Sequence, residues 1–166
     1  RVLFRSGCLF SLIQFSRKYS LISNMNKPVN LEHLSQFMGD AVVVSDVNEK
    51  IVLWNPAATR IFGFTEAEAL GNTLDMIVPE RQQHRHSEGY IKSMKTGTTR
   101  YGTSVLKVPA KHKDGHILSI AFTVGMLFDE NHQATGVVAV IRDETARFAE
   151  ERALKKRLAD LENPQS

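Results

Sequence analysis

The chain has 166 residues, 42% of them hydrophobic, and a formal net charge of +3. This allows one ordinary domain with short appendages, and no stretch approaches the roughly 18 apolar residues of a bilayer helix, so the sequence reads as a soluble, cytoplasmic protein without a membrane segment. The basic excess sits in residues 1–24, where Arg1, Arg5, Arg17 and Lys18 meet no acid; without them the chain is close to neutral and keeps no Lys/Arg stripe for a nucleic-acid partner.

Cys8, the single cysteine, also lies in this leader. One thiol makes no internal disulfide and no cysteine pair exists for zinc or an iron–sulfur cluster. The leader begins without Met and is rich in Arg and Ser, like a targeting peptide; the alternative is a frame extended upstream of a start at Met25. Under either reading residues 1–24 stand outside the fold, 25–39 form an N-terminal helix and linker, 40–143 the domain, and 144–166 a C-terminal helix and tail.

In "LEHLSQFM" (31–38) the apolar residues recur at helical spacing and "GD" closes the segment. "AVVVSD" and "KIVLWN", joined by "VNE", predict an antiparallel hairpin. Asn55 with Pro56 behind it is an N-cap followed by a helical first position, and Thr65 with Glu68 has the spacing of a capping box before Gly71. "NTLDMIV" supplies a further turn. Pro79 then opens a long helix to Thr96, with Gly97 as its C-cap. Beyond "TGTTRYG" three strands follow: "TSVLKVPAKH", the turn "KDG", "HILSIAFTVGMLF", the connection "DENHQ", and "ATGVVAVIRD". The order predicts an α+β domain, one antiparallel sheet with short helices on one face and a pocket between them. Leu154, Leu158 and Leu161 give the last segment a short amphipathic seam, read as a dimerising helix, with docking on its own domain as the alternative.

"WNPAATRIFGFTEAEALG", the turn "DGH" and "IRDETARFAEERAL" resemble, in order, the core signature, the turn before the penultimate strand and the output junction of PAS domains; the likeness covers roughly residues 31–162. It implies a sensory module of bacterial signalling proteins, with a five-stranded sheet of order 2-1-5-4-3 and often a small ligand or cofactor inside.

At about 100° per residue, His86, Tyr90, Gln83, Met94 and Ile91 share one side of the long helix, with His86 at the edge of the inward stripe. His84 falls at the opposite edge, so "HRH" is not read as a zinc site. "PERQQHRHSEGY" resembles the long helix of FixL-type haem PAS domains, and that resemblance places the iron-binding histidine on His86. The ligand-responsive arginine of that subgroup falls near Val105, where this chain departs from the pattern; a packed histidine without haem is the alternative. The light-sensing branch of the family needs a cysteine after Gly-Asn, absent from "GNTLDMIV", so no covalent flavin adduct is expected. Non-covalent FAD is a further alternative, with Trp54 and Asn55 lining its pocket.

Asp143 and Thr145 resemble the family's transmission motif; physically, a carboxylate and a hydroxyl at this junction can cap the last helix. No phosphate-binding, nucleophile-elbow or dinucleotide motif occurs, His112 and His116 flank a turn and read as solvated, and no catalytic activity is expected. The expected lining or core comprises Val42, Val44, Ile51, Leu53, Phe62, Met76, Tyr90, Met94, Leu118, Ile120, Val138 and Val140. His86, Tyr90, Met94, Trp54, Asn55, Ile120 and Val138 are the candidate ligand contacts. The sequence therefore predicts a sensor that binds a small ligand or cofactor and relays a change to a sensor kinase or transcription regulator. The alternatives are a cofactor-free module that pairs with a second copy or another PAS domain, and a haem-based oxygen or redox sensor.

Overall fold

The computed structural model describes residues 31–162; the leader with Cys8, Met25 and residues 163–166 lie outside the described residues. The chain divides between Leu34 and Ser35, and the fold below belongs to the part beginning at Ser35. A short helix α1 (Leu31–Gln36) crosses that division and is followed by β1 (Ala41–Asp46) and β2 (Ile51–Trp54). Next come α2 (Pro56–Phe62), α3 (Glu66–Ala69), a single 3-10 turn (Leu74–Met76) and the long α4 (Glu80–Thr96). β3 (Leu106–Lys111), β4 (Ile117–Phe128), β5 (Ala134–Asp143) and α5 (Thr145–Glu162) complete the order. The strands form one antiparallel sheet ordered β2-β1-β5-β4-β3. Among the described residues no helix is long and apolar enough to cross a membrane.

Helix ends fall where the side chains dictate. The Asn55 carboxamide accepts from the Ala58 amide at α2, and Gly63 closes that helix at φ 80°, a left-handed conformation that costs other residues a Cβ clash. Thr65 and Glu68 exchange both bonds of a capping box around α3. Gly97, also left-handed, ends α4.

Alternation along the strands assigns each side chain to a face. Ala41, Val43 and Ser45 of β1 stand opposite Ile141, Ala139 and Val137 of β5, and these stand opposite Phe122, Val124 and Met126 of β4. This is the inner face: it packs with Trp54, Phe62, Ala58, Ile77, Leu118 and Ile120 into one core. Trp54 and Phe62 are its largest fully buried side chains, with ring centroids 5.5 Å apart, and each stabilises the fold by about 1.5–3 kcal/mol through burial.

Val42, Val44, Leu53, Val138 and Val140 do not share that face. Their registers, Val42↔Val140 and Val44↔Val138 with Val44↔Leu53, put them on the opposite one. Two causes explain the difference. "VVV" and "VVAV" read as apolar in either parity, so periodicity does not choose the buried face. On β2, a bulge between Val44 and Ser45 shifts the pairing from Leu53 to Ile51, which turns both Ile51 and Trp54 into the core and Leu53 out. Gly136 is fixed by the same central pairing: a Cβ there would lie 2.3 Å from the Ser45 carbonyl oxygen.

Candidate functional site

The site is built where α4 crosses the sheet beside the β1–β2 turn. Asp46 closes that turn, its carboxylate accepting from the Asn48 and Lys50 amides and its carbonyl from the Glu49 amide. The closure holds Glu49 at φ 64°, a left-handed conformation that costs a non-glycine residue about 1–2 kcal/mol. Glu49 is nevertheless buried, with 8% of its surface exposed.

A buried carboxylate needs a partner, and Glu49 finds one in α4. Its Oε1 lies 2.8 Å from Nδ1 of His86, whose side chain is 37% exposed. A carboxylate only accepts, so Nδ1 carries a proton, and in the neutral ring the Nε2 lone pair is left for another ligand. One turn on, the Tyr90 hydroxyl donates to the Asp46 carbonyl at 2.5 Å and meets Ser45 Oγ at 2.9 Å. Burial raises the Tyr90 pKa above its ordinary value, and the charges of Glu49 and Asp46 add to this against the Ser45 hydrogen bond. Tyr90 therefore stays protonated and acts as a donor. Its bonds also explain why Ser45, a polar residue, occupies the inner face.

The inner wall opposite α4 changes along its length. Ala110, Leu118, Ile120 and Ile141 are buried, whereas Val124, Met126, Val137 and Ala139 are only half-buried, as is Met94 on α4. The half-open stretch is apolar, and Tyr90 reaches the same face of the sheet through Ser45, with His86 one turn before it on α4. Ile91, placed by helical angle on the inward side, is 53% exposed. Val138 lies on the opposite face of the sheet, and Ile120 is buried in the core.

Trp54 and Asn55 are committed to the fold. Trp54 Nε1 donates to Thr59 Oγ1 and the Phe64 carbonyl, both at 3.2 Å. Asn55 Oδ1 accepts from the Val42 and Ala58 amides, while Nδ2 donates to the Ser35 and Asp40 carbonyls. These are all four hydrogen bonds a carboxamide makes, so neither residue has a polar atom left for an isoalloxazine ring.

At the exit, Asp143 Oδ1 accepts from both the amide and the hydroxyl of Thr145, at 2.9 and 2.5 Å. The Thr145 hydroxyl in turn accepts from the Ser119 amide of β4 at 3.0 Å, and the Glu144 amide donates to the Ser119 carbonyl. Asp143 thus caps α5, while Thr145 anchors it to the sheet. Beside them Arg142 makes a two-bond pair with Asp40, at 2.9 and 2.7 Å, joining the two ends of the sheet region. The Arg142 hydrogen bonds hold the Asp40 carboxyl below its ordinary pKa.

The other candidate histidines separate. His84 is exposed and pairs with Glu88 on its own helix. His112 is not solvated as expected: its side chain is 21% exposed and its ring stacks on that of His116 at 4.4 Å. Neither the burial of Glu49 nor that of His112 has a periodic signal, because Glu49 is covered by His86 and His112 by Gly63, segments that meet only after folding. Val105 precedes β3 and is exposed.

A family model described as the PAS fold matches residues 30–143. The chain is 26% identical over 117 residues to "Oxygen sensor protein DosP" of Escherichia coli, covering 70% of this chain and 14% of that protein. It is 28% identical over 100 residues to "Sensor protein FixL" of Bradyrhizobium diazoefficiens, covering 60% of this chain and 20% of that one. The chain therefore spans a fifth or less of the length of these relatives. Among solved structures, the PAS domain of a protein from Colwellia psychrerythraea superposes with a TM-score of 0.60 at 24% identity, over 69% of this chain and 93% of that one. With the sheet order, the roofing helices and a match across residues 30–143 in agreement, the chain belongs to the PAS family of sensor domains.

Proposed function

We propose that this PAS domain is a haem-based gas or redox sensor, with His86 as the iron ligand, that signals through α5. One observation carries the reading: the 2.8 Å bond from His86 Nδ1 to the Glu49 carboxylate, which fixes the ring and leaves Nε2 as the ligating atom. A carboxylate behind a metal-bound imidazole orients it and raises its basicity. Supporting this reading, His86 offers a single nitrogen donor, and the half-buried, apolar Val124, Met126, Val137 and Ala139 of the inner face would pack against the macrocycle. Haem, when bound, supplies an iron centre that takes a diatomic gas or changes oxidation state. DosP is named an oxygen sensor, which supports the same reading for a chain 26% identical to it over 117 residues.

The chain's own residues would do the rest. Glu49 and Tyr90 hold α4 to the β1–β2 turn, so a ligand that presses differently on the half-open wall in its two states biases the sheet. β4 and β5 pass the bias to Ser119 and Asp143, and through Thr145 to α5. The domain acts by binding and relay rather than by catalysis. Its output is a sensor kinase or transcription regulator in a bacterial two-component or similar pathway in the cytoplasm, without nucleic acid or membrane as a direct partner.

A second reading, a cofactor-free module that pairs with a second copy, is favoured by one observation: Leu154, Leu158 and Leu161 of α5 are all exposed. The visible spectrum of protein made in haem-supplemented cells separates the two. The haem reading expects a Soret band that His86→Ala removes while the far-ultraviolet spectrum stays unchanged. Colourless, folded wild-type protein with a concentration-dependent mass would favour the pairing module.

A further inference from the structure

We propose that the β3–β4 turn is a binding site for a late first-row divalent transition-metal ion, held by the imidazoles of His112 and His116 and the carboxylate of Asp114. One ligand atom from each residue falls within 4.8 Å of the others. Asp114 Oδ1 stands 3.0 Å from His112 Nδ1 and 2.5 Å from His116 Nδ1. Donor atoms that share one ion at about 2.0–2.2 Å lie about 3 Å from each other; the His112 separation is of that size, and the His116 one is a hydrogen bond that lengthens when an ion takes the place of its proton.

The turn is formed in advance of any ligand. The His112 amide donates to the His116 carbonyl, the Gly115 amide to the His112 carbonyl, and the Lys113 amide to the Phe62 carbonyl of α2. Gly115 sits at φ 95°, which lets three ligand side chains rise from five consecutive residues. His112 is seated over Gly63, where a Cβ would stand 2.6 Å from its ring atoms Cε1 and Nε2. That contact covers one edge of the imidazole and turns Nδ1 towards Asp114. His116, 52% exposed, is stacked on it, so its ring swings out of the stack for both Nδ1 atoms to meet one ion, and Asp114 is 63% exposed, which leaves room for water to complete the coordination.

Charge points the same way. Two imidazoles are brought against one carboxylate oxygen, where His112 Nδ1 accepts from the Asp114 amide and Asp114 Oδ1 from the His116 amide. A divalent cation would draw all three donor atoms to itself in place of the proton between Asp114 and His116. Lys113, the nearest cation in sequence, is drawn away by Glu68 at 2.5 Å and lies over the Phe64 ring. Two nitrogen donors and one oxygen select zinc, nickel, cobalt or copper over magnesium or calcium, which prefer oxygen sets.

The test is calorimetric titration of the untagged full chain with ZnCl2 and with NiCl2 near neutral pH. The expected result is one equivalent bound in the micromolar range, weakened about tenfold or more by His116→Asn and by Asp114→Asn, and unchanged by His84→Asn. MgCl2 should give no binding and should not displace zinc. Wild-type protein that takes up neither ion, or variants at positions 114 and 116 that bind as wild type does, would overturn the proposal. Both positions are exposed, so the folded state of these variants, checked by circular dichroism, keeps the comparison valid where His112→Asn fails to fold.

Discussion

Glu49 and His86 are 37 residues apart in the chain and 2.8 Å apart in the fold, the first on a tight turn and the second on a helix. The turn holds Glu49 at a positive φ that glycine would adopt without strain, so Glu49→Gly separates turn stability from site chemistry. Relief of the left-handed strain should offset the lost carboxylate, leaving stability to urea within about 1 kcal/mol of wild type. Haem uptake, read from the Soret band, should fall with it, and uptake equal to wild type would remove Glu49 from the site.

Asn55→Ala should cost about 2–4 kcal/mol in chemical denaturation. The substitution removes the α2 cap and leaves the Val42 amide without its acceptor. A loss below about 0.5 kcal/mol, as for ordinary surface positions, would show that neither bond matters.

Tyr90→Phe tests the anchor between α4 and β1. The ring stays, and the Ser45 hydroxyl and Asp46 carbonyl lose their partner, so stability should drop by about 1–2 kcal/mol with the fold intact. An unchanged unfolding midpoint would mean that water replaces the hydroxyl at no cost.

Acid should weaken the domain through Glu68 and Asp40. The Lys113 hydrogen bond, with those from Thr65, holds Glu68 at about 2, against an ordinary 4.5, and Arg142 lowers Asp40. A carboxyl with a depressed folded pKa contributes stability that is complete above its unfolded value and lost as pH falls through the folded one. Stability should therefore decline from about pH 4.5 downward, and Lys113→Met should flatten that decline by removing the chief cause of the Glu68 shift. Parallel acid curves for the two proteins would contradict the assignment.

Thr145→Val keeps the shape of the side chain and removes the acceptor of the Ser119 amide. That amide should exchange with solvent about tenfold faster, which corresponds to about 1.4 kcal/mol, while the helix content of α5 is retained. Equal exchange rates would show that Thr145 does not hold α5 to β4.

Local chemistry made much of this fold legible. Asn55–Pro56, Thr65 with Glu68, and Gly97 mark helix ends by groups that act within one turn, and each lies where its side chain predicts. The buried face of β1 and β5 was not legible, because consecutive valines satisfy both parities and the deciding contact, Ser45 with Tyr90, spans 45 residues. The candidate site divides in the same manner. His86 and Tyr90 follow from the helical angle, whereas Glu49 is a polar turn residue until α4 is folded over it. His112 and His116 read as surface residues because nothing in "HKDGH" reveals that Gly63 will lie beneath one ring.

No residue of α5 is buried. Swinging this helix therefore exposes no core, and the hinge resists mainly through a few polar contacts at Glu144 and Thr145, each worth about 1 kcal/mol. Such a joint is soft by comparison with the sheet it leaves. Under the proposed relay, a modest preference of a ligand for one sheet geometry would be enough to redirect the helix without bringing the domain near its own unfolding.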